Sequence, residues 1–118
     1  MDDPEEHALV LLALRSGLSN CVLWKNVGVI ARVESDPDLK GLTARTIRES
    51  LIEHAVSGGS VLQVREQREP YRRDYAFYYK AVLPFCDFPK GIFVEMRLND
   101  ADPDFPIVYL VNAHVQRG

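Results

Sequence analysis

Residues 91–114 read GIFVEMRLNDADPDFPIVYLVNAH, and their alternation decides the fold. Ile92, Val94, Met96 and Leu98 fall in one phase of a two-residue period; Phe93, Glu95 and Arg97 fall in the other. Beyond an acidic link holding Pro103, Val108, Leu110, Asn112 and His114 alternate with Tyr109, Val111, Ala113 and Val115. A period of two belongs to strands, and a short link between two of them makes an antiparallel hairpin. Two further stretches, SVLQVREQ (60–67) and YAFYYKAVLP (75–84), read the same way. The connectors REPYRRD, CDFPK and NDADPD carry turn formers at the strand boundaries. The expectation is a meander of four antiparallel strands over 60–116.

Upstream of residue 60 the period becomes helical. Asp3-Pro4-Glu5-Glu6 combines a cap, a proline suited to the first helical position and two carboxylates at the positive end of the dipole. Gly17 closes that helix, whose run from Ala8 to Leu14 is apolar all round and calls for cover by the domain or by a second molecule. The segment SNCVLWKNVGVIARVES (19–35) fits a helical stripe through Val22, Leu23, Trp24, Val27, Ile30 and Ala31. Its β-branched content also permits a strand, so helix is the expectation with strand as the alternative. Thr43 caps a third helix in which Ile47, Leu51, Ile52 and Ala55 share a side, and Gly58-Gly59 stops it. The whole is an α+β domain, 1–118, with N-terminal helices (3–58) packed on one face of a four-stranded antiparallel sheet (60–116).

Composition narrows the function classes. With 47% hydrophobic and 26% charged residues in 118, the chain is long enough for one real core and too polar for a membrane span. HALVLLALRSGL follows MDDPEE rather than a basic segment, so it reads as a buried helix and the protein as cytoplasmic, with no membrane association. A net charge of −3 excludes a molecule that is basic overall, so any phosphate-binding surface is local. Cys21 and Cys86 lack metal-ligand spacing; two buried free thiols are expected, with one disulfide left open. Asp100, Asp102 and Asp104 lack the glycine and the bidentate glutamate of a calcium loop and read as a strand connector. No metal and no cofactor is called for.

If helices cover the apolar phase, the opposite face presents Gln63, Arg65, Tyr78, Lys80, Glu95, Arg97, Asn112 and His114 together. An uncovered sheet face is ordinarily polar, and cross-strand charge pairs stabilise it slightly. The residue types also equip the face for metal-free cleavage of an RNA phosphodiester. Glu95 and His114 would exchange protons with the 2′-hydroxyl and the leaving oxygen. Lys80, Arg97 and Arg65 would contact the phosphate, and Tyr78 would orient or stack on a base, beside the polar contacts of Asn112 and Gln63. REQREPYRRDYAFYY adds Arg68, Arg72 and Arg73 among tyrosines, with Glu66, Glu69 and Asp74 offsetting their charge as in a solvated hairpin.

This layout resembles the ribonuclease toxin superfamily that includes barnase-like, colicin-nuclease-like and RelE-like proteins. The resemblance covers the whole chain as architecture and YYKAVLP, GIFVEMRL and IVYLVNAH as local pattern. It implies an endoribonuclease working on RNA from the open face of the sheet, with Lys80, Glu95, Arg97 and His114 on the site-bearing strands. It also implies a small antitoxin-like protein as partner; a homo-oligomer is the other expectation, from the apolar run Ala8 to Leu14. The alternative is a non-catalytic winged-helix-like module, binding DNA or another protein through TARTIRESLIE (43–53), with Arg45 and Arg48 outward.

Overall fold

In the computed structural model, which describes residues 2–117, helix α1 (Pro4–Arg15) begins where Asp3 accepts a hydrogen bond from the Glu6 amide at 3.1 Å. Its buried residues are Val10, Ala13 and Leu14, while Leu12 stays 48% exposed. The apolar run is therefore covered on one side only. Arg15 Nε donates to the Ala55 carbonyl at 2.9 Å, docking α1 on α3 (Ala44–Val56), the third helix. Thr43 caps α3 as expected, and Ala44, Ile47, Leu51 and Ala55 face inward.

Between these helices the structure departs from the expectation. Residues 19–35 form neither one helix nor one long strand. They give a short strand, β1 (Val22–Trp24), and then α2 (Val27–Glu34). Asn26 makes the break: its side chain accepts from the Val29 amide at 2.9 Å, an N-cap in mid-segment. β1 pairs in parallel with the last strand, Val22 opposite Val108 and Trp24 opposite Leu110. The sheet thus has five strands and is mixed, in the order β1-β5-β4-β3-β2, with β2 (Leu62–Arg65), β3 (Phe77–Phe85), β4 (Phe88–Asp100) and β5 (Ile107–Val115) antiparallel in sequence. The predicted connector CDFPK is mostly strand: only Cys86 and Asp87 turn the chain between β3 and β4. Cys21 is buried and Cys86 exposed, so the two thiols are free but only one of them is buried.

Two phase changes explain which side chains face where. Glu95 pairs with Asn112 while Met96 pairs with Leu110, so Val111 is an extra residue in β5. That bulge sends Leu110 and Ala113 to the same side and turns Asn112 and His114 to the other. Val111, expected beneath the helices, instead borders a surface cavity. The second change is in β2. Gln63 pairs with Tyr79 and Arg65 with Phe77, which are buried on the helix side, so Gln63 and Arg65 lie on that side and not on the open face. The reason is polar. Gln63 exchanges hydrogen bonds with the backbone of Asp3 at 2.8 Å and donates to the Tyr79 hydroxyl at 2.7 Å, which donates to Glu6 at 2.6 Å. Burial and the bond to Glu6 raise the Tyr79 hydroxyl well above its ordinary value, which keeps it a donor.

Val94, Met96 and Ala113 face the helices as their phase requires, and the bulge brings Leu110 to that side in place of Val111. Among the described residues, the opposite face carries no α-helix over β3 and β4. There the segment Glu66–Ala76, with a 3-10 turn at Tyr71–Arg73, folds back over one end of the strands. No helix among the described residues is long and apolar enough to cross a membrane.

Candidate functional site

Register builds the open face in rows. Asn112, Glu95, Lys80 and Leu62 stand opposite one another across β5, β4, β3 and β2. His114, Phe93 and Val82 form the next row, with the His114 ring stacked on Phe93 at 4.7 Å between centroids. Glu95 and His114 are therefore diagonal neighbours on one face, about 7 Å apart by strand geometry. His114 Nδ1 lies 3.0 Å from its neighbour's carbonyl at Val115, and Nε2 makes no hydrogen bond among the described residues. With Nδ1 donating, the free Nε2 is the atom that can exchange a proton.

On the side of the Glu95 row away from His114 four charges interlock. Glu66 and Glu95 are buried carboxylates, and Arg68 reaches both. Its Nη2 donates to Glu95 at 2.8 Å and to Glu66 at 3.0 Å, while Nε meets the other oxygen of Glu66 at 2.9 Å. Arg97, buried beneath Tyr71 and Tyr75, gives Nη2 to Glu66 at 3.0 Å and lies 3.3 Å from Glu95. Burial pushes the Glu66 carboxyl up, but hydrogen bonds from the Arg68 side chain and amide and from Arg97 outweigh it, holding the carboxyl down at about 2. Hydrogen bonds to the carboxylates of Glu66 and Glu95 raise the Arg68 guanidinium above its ordinary range.

Arg97 is not fully matched. It is 4% exposed, and its buried Nε has no partner among the described residues. A buried donor left unpaired costs on the order of 1–3 kcal/mol. The guanidinium borders a cavity of about 560 Å³ between α2 and the sheet, which Glu95, Arg68, Arg32 and Lys25 also line. Arg32 holds α2 against β5 through the Val111 carbonyl, at 3.0 Å, just past the residues that pair with β1.

The sequence-based site therefore divides. Glu95, Arg97, Lys80, Tyr78, Asn112 and His114 share the open face; Gln63 and Arg65 do not. Lys80 stands beside Glu95 without an ion pair to it, and Tyr78 lies under the Arg68 guanidinium at 4.3 Å. Sequence reasoning places Glu66 and Arg68 in a solvated hairpin and does not single out Lys25 and Arg32. The alternation that turns Leu62 and Val64 to the open face also points Glu66 there, but a sequence shows that parity only once β2's register is known.

The DNA-binding alternative needs the third helix free. Arg48 spends its guanidinium on the carbonyls of Val22 at 2.7 Å and Ser19 at 3.0 Å, and Arg45 pairs with Glu49 at 3.1 Å. Comparison with protein families, with curated proteins and with solved structures found no match.

Proposed function

We propose that the protein is a metal-independent endoribonuclease that binds RNA on the open face of the sheet. The observation that carries this reading is the diagonal placement of Glu95 and His114, with the guanidiniums of Arg68 and Arg97 on the carboxylate.

In this scheme the Glu95 carboxylate takes the proton of a 2′-hydroxyl. The 2′-oxygen then attacks phosphorus and the 5′-oxygen leaves. His114, entering the step as an imidazolium, gives its Nε2 proton to the leaving oxygen, and the products are a 2′,3′-cyclic phosphate and a 5′-hydroxyl end. Arg68, Arg97 and Lys80 offset the charge that builds on the phosphoryl oxygens. An incoming phosphate competes with Glu95 for the same guanidinium donors, so substrate binding releases a carboxylate oxygen for proton transfer. Tyr78 and the Phe93–His114 stack offer flat surfaces to bases. The resemblance to the ribonuclease toxins supports the same reading and adds a small antitoxin-like protein as a candidate partner. Gln63 and Arg65 have no part in this site.

The test is cleavage of a structured and an unstructured RNA in EDTA by wild type, Glu95→Gln and His114→Ala. Each substitution is expected to slow cleavage by ~10²-fold or more with the fold retained. Equal rates in all three proteins, or no cleavage by wild type together with binding of duplex DNA, would replace this reading with the non-catalytic one.

A further inference from the structure

Lys25, Arg32, Arg68 and Arg97 line the cavity between α2 and the sheet, against a single lining carboxylate, Glu95. In a chain of net charge −3 this is the kind of local cationic surface that phosphate binding requires. The first turn of α2 also borders it. Asn26 occupies the Val29 amide, whereas the amides of Val27 and Gly28 have no partner among the described residues. The first turn of α2 contains no acidic residue. Amides at a helix N-terminus favour an anion. Independently, Arg97, which lines the cavity and is 4% exposed, has a buried Nε donor with no partner among the described residues.

We propose that this cavity is a phosphate-binding subsite. Its occupant is a backbone phosphate of a polynucleotide strand, the one next to the phosphate handled between Glu95 and His114. Only the choice of a strand as the source rests on the endoribonuclease reading; the anion site stands on the cavity itself. Glu95 lines the cavity and faces His114 diagonally, so a strand crossing the open face brings successive phosphates to both places. The volume, about 560 Å³, accommodates a nucleotide-sized group.

Gly28→Asp separates binding from stability. A carboxylate in the first turn of α2 suits the helix but opposes an anion there. The new Cβ would meet only the Asn26 side-chain oxygen, at 3.3 Å, and Gly28 does not have positive φ. Inorganic phosphate is titrated into ¹⁵N-labelled protein at constant ionic strength, with chloride as control. Saturable shifts are expected at the Val27 and Gly28 amides and at Arg97 Nε–H. Gly28→Asp should weaken phosphate binding about tenfold or more while Tm stays the same or rises. No saturable shift, an equal response to chloride, or unchanged affinity in Gly28→Asp overturns the site. Displacement by a tetranucleotide without terminal phosphates supports the strand as source; displacement by a 5′-mononucleotide alone overturns that assignment. Phosphate binding with no cleavage of RNA would sink the reaction and leave the anion site standing.

Discussion

Glu66 is the residue on which the charged cluster turns. Its carboxyl sits at about 2 rather than the usual 4.5, so the folded state holds this proton less tightly than the unfolded chain. The stability it contributes is therefore present above pH ~4.5 and is lost as pH falls toward 2, on the order of 3 kcal/mol in all. Acid unfolding followed by circular dichroism should show this loss between about pH 5 and 2. In Glu66→Gln the decline over that window should be shallower, because the titrating group is gone. The variant should also be less stable at pH 7, since Arg68 and Arg97 keep only Glu95 as an anionic partner. A variant with wild-type acid sensitivity would remove Glu66 from the account. At this scale the sequence was partly informative: Glu95, Arg97 and His114 announce themselves by phase in their strands. Glu66 and Arg68 belong to a stretch of alternating charges that looks solvated until its fold over Arg97 is known.

Among the elements, the β3–β4 hairpin carries both Lys80 and Glu95, and its geometry depends on Gly91. That residue has φ +81, and a Cβ there would stand 2.6 Å from the Leu83 carbonyl oxygen, beside the irregular pairing between Leu83 and Phe85. Gly91→Ala combines a disfavoured backbone with a steric clash against main chain and should destabilise the fold by at least ~1–3 kcal/mol in urea unfolding. Unchanged stability would mean that the hairpin does not need this turn of the chain. Helix starts at Asp3 and Thr43 were legible because caps act within three residues. The five-stranded sheet was not. β1 is three residues long, too short to display a period, and its partner lies more than eighty positions away. The Val111 bulge hides for a related reason: an added residue shifts phase without altering composition. Gln63 reads as an outward residue because its polar partners, Asp3 and Tyr79, come from elsewhere in the chain.

Seen as a whole, the molecule keeps a net negative charge while gathering guanidiniums under one end of an open sheet face. Long-range attraction for RNA is therefore weak, and affinity must come from a few close phosphate contacts. Single-stranded RNA binding should fall with salt at a slope of about −2 in log–log form, as for roughly three phosphates. A slope near zero would deny those contacts. The central claim, proton transfer to and from a 2′-hydroxyl reaction at Glu95 and His114, makes a sharper demand on the products. End-labelled RNA is incubated with wild-type protein in EDTA, and the new 3′ terminus is identified by mass spectrometry. A 2′,3′-cyclic phosphate, absent when the 2′-hydroxyl at the cleavage position is replaced by hydrogen, is the predicted result; a 3′-hydroxyl end, continued cleavage of the 2′-deoxy substrate, or intact RNA would contradict it.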